Sequence, residues 1–391
     1  RVMSSKTKSR LISWLVGILV VHFIIETTGH HYLYNTLAMT VFKGKLGPEI
    51  KEYHDMPNNV IEHAQPQPWP LSKAFGSKSL TDDAMAYHEQ NQSVSYVVIH
   101  RDSLLFETYW EDFGIDSISN SFSMAKSVVS LLVGIAIDEG RIKSVDDELY
   151  RYMPQYRTEL GEHLTIKNLL TMSSGINFDE HYLNPFAFPA RANYGDNLEL
   201  LLSKYEVTEM PGETFKYQSG NTQILGLLVK GVMRESLASL ASQHVWKKIG
   251  AENDALWSLD SEGGLEKAFC CINATARDFA RIGKLYADYG KWNGKQIVDS
   301  AYVAASIRPA GMVDSEGKAC DYYGYQWWLG EHQGHDFFFM RGIKGQYVVV
   351  IPDEDLIMVR LGRKRDFGSR TKPHPDDVYN YLDMALAMIE S

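Results

Sequence analysis

One short stretch constrains this chain more than any other. It is Ser121-Phe122-Ser123-Met124-Ala125-Lys126, which opens an apolar run over residues 127–137. Ser123 and Lys126 stand three apart, so a helix puts them on one face and the amine can reach the hydroxyl. A serine hydroxyl is a poor nucleophile until a base takes its proton. A lysine can be that base only when neutral, which burial or a neighbouring cation favours. The run supplies burial: Val128, Val129, Leu131, Leu132, Val133, Ile135 and Ile137 leave no polar face, the pattern of a helix enclosed on all sides. Ser123 then lies at a helix N-terminus, where free N–H groups can hold an oxyanion. The spacing alone is weak, since Ser5…Lys8, Ser315…Lys318 and Ser369…Lys372 repeat it, but none of these opens an apolar helix.

With 391 residues, the chain is long enough for one large or two modest domains. A net charge of -10 argues against nucleic acid as a partner. Cys270, Cys271 and Cys320 make no disulfide framework. The adjacent pair is expected not to bridge, and structural thiols are favoured over a pairing with Cys320. No cysteine–histidine spacing suggests zinc, and His30, His31, His332 and His335 read as surface or core residues, so no metal is expected.

Residues 1–10 carry Arg1, Lys6, Lys8 and Arg10 and no acid, and residues 11–25 are nearly all apolar. This is an export pattern. No small-x-small cleavage site follows, so residues 1–30 are read as an uncleaved signal anchor. The basic end would stay in the cytoplasm, with the rest beyond the inner membrane, on the periplasmic side. Residues 31–85 are expected to form an extended, juxtamembrane segment containing Pro57, Pro66, Pro68 and Pro70.

Two β-rich runs, residues 94–100 and 104–110, form a hairpin pattern, and Gly140 is a plausible stop for the helix that opens at Ser123. Residues 144–265 read as helices and loops. Strands return at 322–329, 336–340, 346–351 and 356–361, and residues 376–390 close as an amphipathic helix. Short connections imply antiparallel neighbours. The expected fold is thus α/β (α+β). An antiparallel sheet flanked by N- and C-terminal helices is built from residues 86–150 and 265–391, and residues 151–264 form an inserted helical domain.

Tyr217 lies on a turn-rich loop, residues 211–221, and its phenol could exchange a proton beside a lysine. Tyr182-Leu183-Asn184 has the same tyrosine-x-polar form and is a rival. Gly342 and Gly345 flank Ile343-Lys344 before an apolar strand and would let a substrate approach the backbone. An N–H there could complete an oxyanion hole with that of Ser123.

Together these segments resemble the penicillin-recognising serine hydrolases. That group includes class C β-lactamases, D-alanyl-D-alanine carboxypeptidases, and the esterase and 6-aminohexanoate-dimer hydrolase branch. The resemblance spans about residues 85–389. It rests on Ser123-Met124-Ala125-Lys126, residues 164–175 and the loop at 211–221. Asn273-Ala274-Thr275-Ala276-Arg277-Asp278, Trp292-Asn293-Gly294-Lys295 and residues 323–328 add to it. It selects Tyr217 over Tyr182. It implies a β-lactamase/transpeptidase-like fold, with Ser123 as the acylated nucleophile and Lys126 and Tyr217 as the proton-transfer pair. The N–H groups of Ser123 and Gln346 would hold the oxyanion, no cofactor would be needed, and Ser219, Ile343 and Gly345 would line the substrate.

Two positions depart from the pattern: Tyr217-Gln218-Ser219 replaces tyrosine-x-asparagine, and Ile343-Lys344-Gly345 replaces a lysine- or histidine-x-glycine motif. Ile343 removes a polar group that could grip a substrate carboxylate. Alternation along a strand would turn Lys344 away and leave Arg341 on the face of Ile343. The expected activity is therefore hydrolysis of small esters or linear amides. The alternatives are β-lactamase or D-alanyl-D-alanine carboxypeptidase-type activity, or a non-catalytic membrane-anchored binding protein of the same fold.

Overall fold

The computed structural model describes residues 5–45, 47–368 and 374–390; Ser369…Lys372 thus lies outside the described residues. Six antiparallel strands form the main sheet, in the order Trp328–His332, His335–Gly342, Gln346–Ile351, Leu356–Gly362, Ser93–His100 and Ser103–Tyr109. The two ends of the chain meet where Leu356 pairs with His100 and Val359 with Val97. Period-two alternation gives the central strands two buried faces. Val97, Ile99, Val348, Val350, Ile357 and Val359 join the larger core cluster with the Ala125–Asp138 helix and the Ala276–Ala287 helix. Gly283 lets that second helix approach: a Cβ there would lie 3.0 Å from Val348 and Val350 side-chain carbons. Tyr96, Val98, Val349 and Met358 face the other way, against Val378, Tyr381 and Leu382 of the C-terminal helix, Asp376–Glu390.

The run after Ser123 forms a helix, Ala125–Asp138, buried from Ala125 through Ala136. Buried hydroxyls need partners, and the serines of this helix have them. Ser127 donates to the Gln326 carbonyl at 2.7 Å, and the Tyr302 hydroxyl donates to the Ser130 carbonyl at 2.7 Å. The helix ends near Gly140, whose φ of 68° suits the left-handed stop. Packed on it is the Ser219–Met233 helix, which follows the Tyr217 loop.

Several elements differ from the sequence reading. A second sheet, unforeseen, runs Asn58–Ile61, Ala255–Ser258, Ile272–Ala274 and Ser119–Asn120. Its strands are two to four residues long, too short to show a period. Residues 322–327 are loop, and the strand starts only at Trp328, because Gln326 takes a left-handed φ of 64° to bond the Leu169 and Leu170 carbonyls. Residues 31–85 are not simply extended: Tyr32–Met39 is helical, and Asn58–Ile61 is paired. Cys270 and Cys271 are bonded to each other, and Cys320 is free and buried. The positive φ of Cys271, 72°, makes the local bend that sets the two adjacent thiols side by side.

At the N-terminus, Ser5–Thr27 is one continuous helix, so Ser5…Lys8 does open an apolar helix, contrary to the sequence reading, but one whose apolar side chains are exposed rather than enclosed, among them Trp14, Leu19 and Phe23. Its length, about 35 Å at 1.5 Å per residue, matches a bilayer core.

The tightest contact on the nucleophile helix yields a test. A Cβ on Gly134 would stand 2.6 Å from a Tyr302 ring carbon. Overpacking of that kind outweighs the helix propensity gained, so Gly134→Ala should destabilise the protein by about 1–2 kcal/mol. A urea midpoint at or above that of the unmodified protein would contradict this packing.

Candidate active site

The turn that carries Ser123 is held by the small sheet. Ser121 N–H donates to the Ile272 carbonyl at 2.7 Å, Ile272 N–H to Ser121 Oγ at 3.1 Å, and Phe122 N–H to Asn120 Oδ1 at 2.8 Å. Phe122 adopts a φ of 43°, unfavourable for a residue with a Cβ. That sharp bend sets the single turn Phe122–Met124, on which Ser123 sits just before the buried helix. Observed backbone outliers of this kind gather at functional sites.

Lys126 is 1% exposed. Its Nζ donates to Ser123 Oγ at 3.0 Å and to the Phe269 carbonyl at 2.8 Å. No carboxylate pairs with it among the described residues. The Tyr217 ring lies over the same amine, 5.2 Å from Nζ to the ring centre. Three residues foreseen as a unit thus converge from two helices and a loop. The loop is tied down by Phe215 N–H to the Val313 carbonyl and Lys216 N–H to the Met172 carbonyl, at 2.8 and 2.7 Å. The Tyr217 phenol makes no hydrogen bond among the described residues, which leaves it available.

Ser219 is occupied differently from the sequence reading. Its Oγ donates to Glu180 Oε1 at 2.6 Å and its N–H to Glu180 Oε2 at 2.9 Å. Tyr182, the rival tyrosine, donates to the same carboxylate at 2.7 Å. Glu180 was not foreseen. It lies in no motif, and only the fold brings it to the start of the Ser219–Met233 helix, where a carboxylate is favoured.

Ile343–Gly345 is a tight turn rather than a strand, with Lys344 at φ 61°, so strand alternation does not apply there. Lys344 instead pairs with Glu49 at 2.5 Å. The turn is pinned from behind. Gln346 Nε2 donates to the Ile343 carbonyl at 3.0 Å, and Arg360 Nη1 donates to the Lys344 and Gly345 carbonyls at 2.9 and 2.8 Å. Arg360 is fully buried, and a Cβ on Gly345 would lie 2.3 Å from its Nη1. At the front, a Cβ on Gly342 would strike the Ser121 carbonyl at 2.3 Å, so only glycine lets the turn lie against the nucleophile segment. Gln346 begins the next strand, its side chain folded into the sheet.

Arg341 precedes this turn. Its guanidinium stacks on Trp328 at 3.5 Å, and Trp328 also carries the Tyr217 ring at 5.3 Å. Burial and the neighbouring Arg365 charge lower its pKa, and Tyr217 lies close enough to act against that. Among the described residues Arg341 has no carboxylate partner. Elsewhere, His335, Asp353 and Glu354 bring possible ligand atoms within 4.8 Å of one another. His335 there already bonds Asp353 at 2.7 Å.

A model of the family described as Beta-lactamase matches residues 78–378. The chain belongs to that family. It is a serine hydrolase related to the 6-aminohexanoate-dimer hydrolase of Paenarthrobacter ureafaciens, 26% identical over 304 residues, 72% of this chain and 75% of that protein. A putative 6-aminohexanoate-dimer hydrolase structure from Bacillus anthracis superposes with a TM-score of 0.74 at 22% identity, over 87% of this chain and 92% of that one. A family VIII carboxylesterase superposes at 0.62 with 17% identity, over 84% of this chain and 100% of that one. These likenesses agree with the antiparallel sheet and flanking helices.

The support behind the turn yields a pH test. Burial pushes Asp377 up to about 6, against the Tyr347 hydrogen bond at 2.8 Å and the charges of Arg360 and Arg365, which lower it. The folded state therefore holds this proton more tightly than the unfolded chain. The resulting stability is present below about pH 4 and lost as pH rises through about 6. Asp377→Asn removes the titration. Relative to the variant, the unmodified protein should lose roughly 3 kcal/mol at most between about pH 4 and pH 7. Parallel stability curves in urea denaturation would refute the shift.

Proposed function

We propose that this protein hydrolyses small ester or linear amide bonds through an acyl-enzyme on Ser123. The observation that carries the reading is the buried Lys126 amine, 3.0 Å from Ser123 Oγ and under the Tyr217 ring. In the first step Ser123 Oγ attacks the acyl carbonyl and its proton passes to Lys126. Tyr217 then relays a proton to the leaving alcohol or amine as the carbonyl–heteroatom bond breaks. Water reverses the sequence and frees the acid. The N–H groups of Ser123 and Gln346 hold the oxyanion, and Gly345 permits the turn that presents the second of them. Ser219 supports the wall through Glu180, and Ile343 offers an apolar contact. No metal or cofactor enters this scheme. The kinship with 6-aminohexanoate-dimer hydrolase supports linear amides, and the carboxylesterase neighbour supports esters as substrates. The Ser5–Thr27 helix would anchor the enzyme in the inner membrane, with the site on the periplasmic side.

A second reading, β-lactamase or carboxypeptidase-type activity, is favoured by one observation. The Arg341 guanidinium, which has no carboxylate partner among the described residues, is stacked on the wall that also holds Tyr217. A guanidinium so placed suits a substrate carboxylate.

Ser123→Ala should lose at least about a thousandfold in turnover and all fluorophosphonate labelling, with Lys126→Ala nearly as damaging. Tyr217→Phe should lose on the order of a hundredfold or more. Retained turnover in purified Ser123→Ala protein would end the mechanism, and a larger loss in Tyr182→Phe than in Tyr217→Phe would reassign the tyrosine. Side-by-side kcat/KM values decide between the two readings. p-Nitrophenyl butyrate should exceed nitrocefin. A higher nitrocefin value, abolished by Arg341→Gln, would establish the second.

A further inference from the structure

The loop that presents Glu180 and Tyr182 to the site also reaches the point where the chain would leave the membrane. The leader helix ends at Thr27, and three residues span at most about 10 Å. His30, three residues on, lies 5.7 Å ring to ring from Phe186. The Tyr32 hydroxyl donates to the Pro185 carbonyl at 3.0 Å, and Asn35 Nδ2 donates to the Tyr194 carbonyl at 3.1 Å. The loop returns from there to the site: Phe188 N–H donates to Asp179 Oδ1 at 2.9 Å, and the adjacent Glu180 bonds Ser219, two residues from Tyr217. A short run of direct contacts thus joins the end of the leader helix to the mouth of the site.

This surface is apolar where a soluble enzyme would place polar side chains. Leu183 is 91% exposed and Phe186 54%, and along the juxtamembrane segment Val41 is 59% and Phe42 80% exposed. Clustered exposed side chains of this kind mark an interaction surface. What covers them follows from continuity with the leader helix: Phe186 cannot lie far from the bilayer that holds Ser5–Thr27. Aromatic and leucine side chains are the ones that settle at the acyl–headgroup boundary.

We propose that the loop around Leu183 and Phe186 docks on the bilayer surface, so that the mouth of the site draws its substrate from the membrane. The substrate class is then an amphipathic ester or amide with a long acyl chain, held in the lipid, rather than a freely soluble one. This deepens the hydrolase reading above and rests on it and on the membrane anchor. Docking brings the loop to the headgroup level, where an acyl carbonyl lies at the polar boundary and can reach Ser123 with little displacement.

The test uses the full chain reconstituted in phosphatidylcholine vesicles. Hydrolysis of p-nitrophenyl palmitate dispersed in the vesicles is compared with that of p-nitrophenyl butyrate in solution. A Leu183→Ser, Phe186→Ser double variant should lose about tenfold or more in kcat/KM on the vesicle-borne ester, because two apolar side chains no longer enter the lipid. It should keep butyrate turnover and fluorophosphonate labelling at Ser123, which also reports that it is folded. Unchanged palmitate hydrolysis, or equal losses on both esters, would overturn the docking surface. A wild-type chain that neither turns over butyrate nor labels would overturn the hydrolase reading itself.

Discussion

The Lys126 amine sits between Ser123 Oγ and the Phe269 carbonyl, and much of the structure serves that placement. A buried amine left without hydrogen-bond partners is costly. It can be held only if rigid elements deliver a few good acceptors. The Ala125–Asp138 helix supplies the amine, and its enclosure keeps water out. The Phe269 carbonyl comes from a segment fixed at many points: Ala268 N–H donates to Gln223 Oε1, and Trp257 Nε1 donates to the Lys267 and Cys270 carbonyls. The Cys270–Cys271 bond follows directly, and Ile272 closes the same segment onto Ser121. One stretch, 268–272, therefore fixes both the acceptor behind Lys126 and the turn beneath Ser123.

What the sequence made legible was the part governed by local pattern. An apolar run with no polar face could only be a buried helix, and Ser123 and Lys126 had to share its start. The strands at 346–351 and 356–361 are long enough to alternate, and they stand where expected. The small sheet escaped notice because Ser119–Asn120 and Ile272–Ala274 carry no period to read. Glu180 escaped because its partner, Ser219, lies 39 residues away. Arg360 looked like one more residue of an alternating strand. It is instead a buried clamp whose guanidinium carries five N–H donors, four of which go to Ser93 Oγ and the Asn91, Lys344 and Gly345 carbonyls.

Some segments that carried the resemblance are scaffold rather than chemistry. Thr275 caps the Ala276–Ala287 helix by accepting from Asp278 N–H. Asp278 in turn accepts from the backbone of Glu252 and Asn253 and pairs with Arg281 at 3.1 Å. Thr165 and Asn168 form a reciprocal cap that starts another short helix. Trp292 Nε1 reaches Gln67 in the connecting segment. The two caps satisfy backbone groups that would otherwise be buried without partners, and the Trp292 contact ties the connecting segment down. Such positions identify a fold, and they say nothing by themselves about the bond that is cleaved.

The turn at Ile343–Gly345 shows how such a site can change substrate without losing its geometry. All three of its carbonyls are bonded from the sheet side, by Gln346 and Arg360, and Gly345 exists to let that guanidinium in. None of those bonds depends on the Ile343 or Lys344 side chain. The backbone that would face an oxyanion is therefore set from behind, while the side chains at the front are free to vary. A polar residue in place of Ile343 would alter what the substrate meets, yet it would leave the Arg360 and Gln346 contacts untouched. Arg341 differs in kind: its stacking on Trp328 couples it to the ring that also carries Tyr217, so under the mechanism proposed above a change there would reach substrate recognition and the proton relay together. On that proposal, specificity residing in Ile343 could shift alone, whereas specificity residing in Arg341 could not shift without cost to the rate.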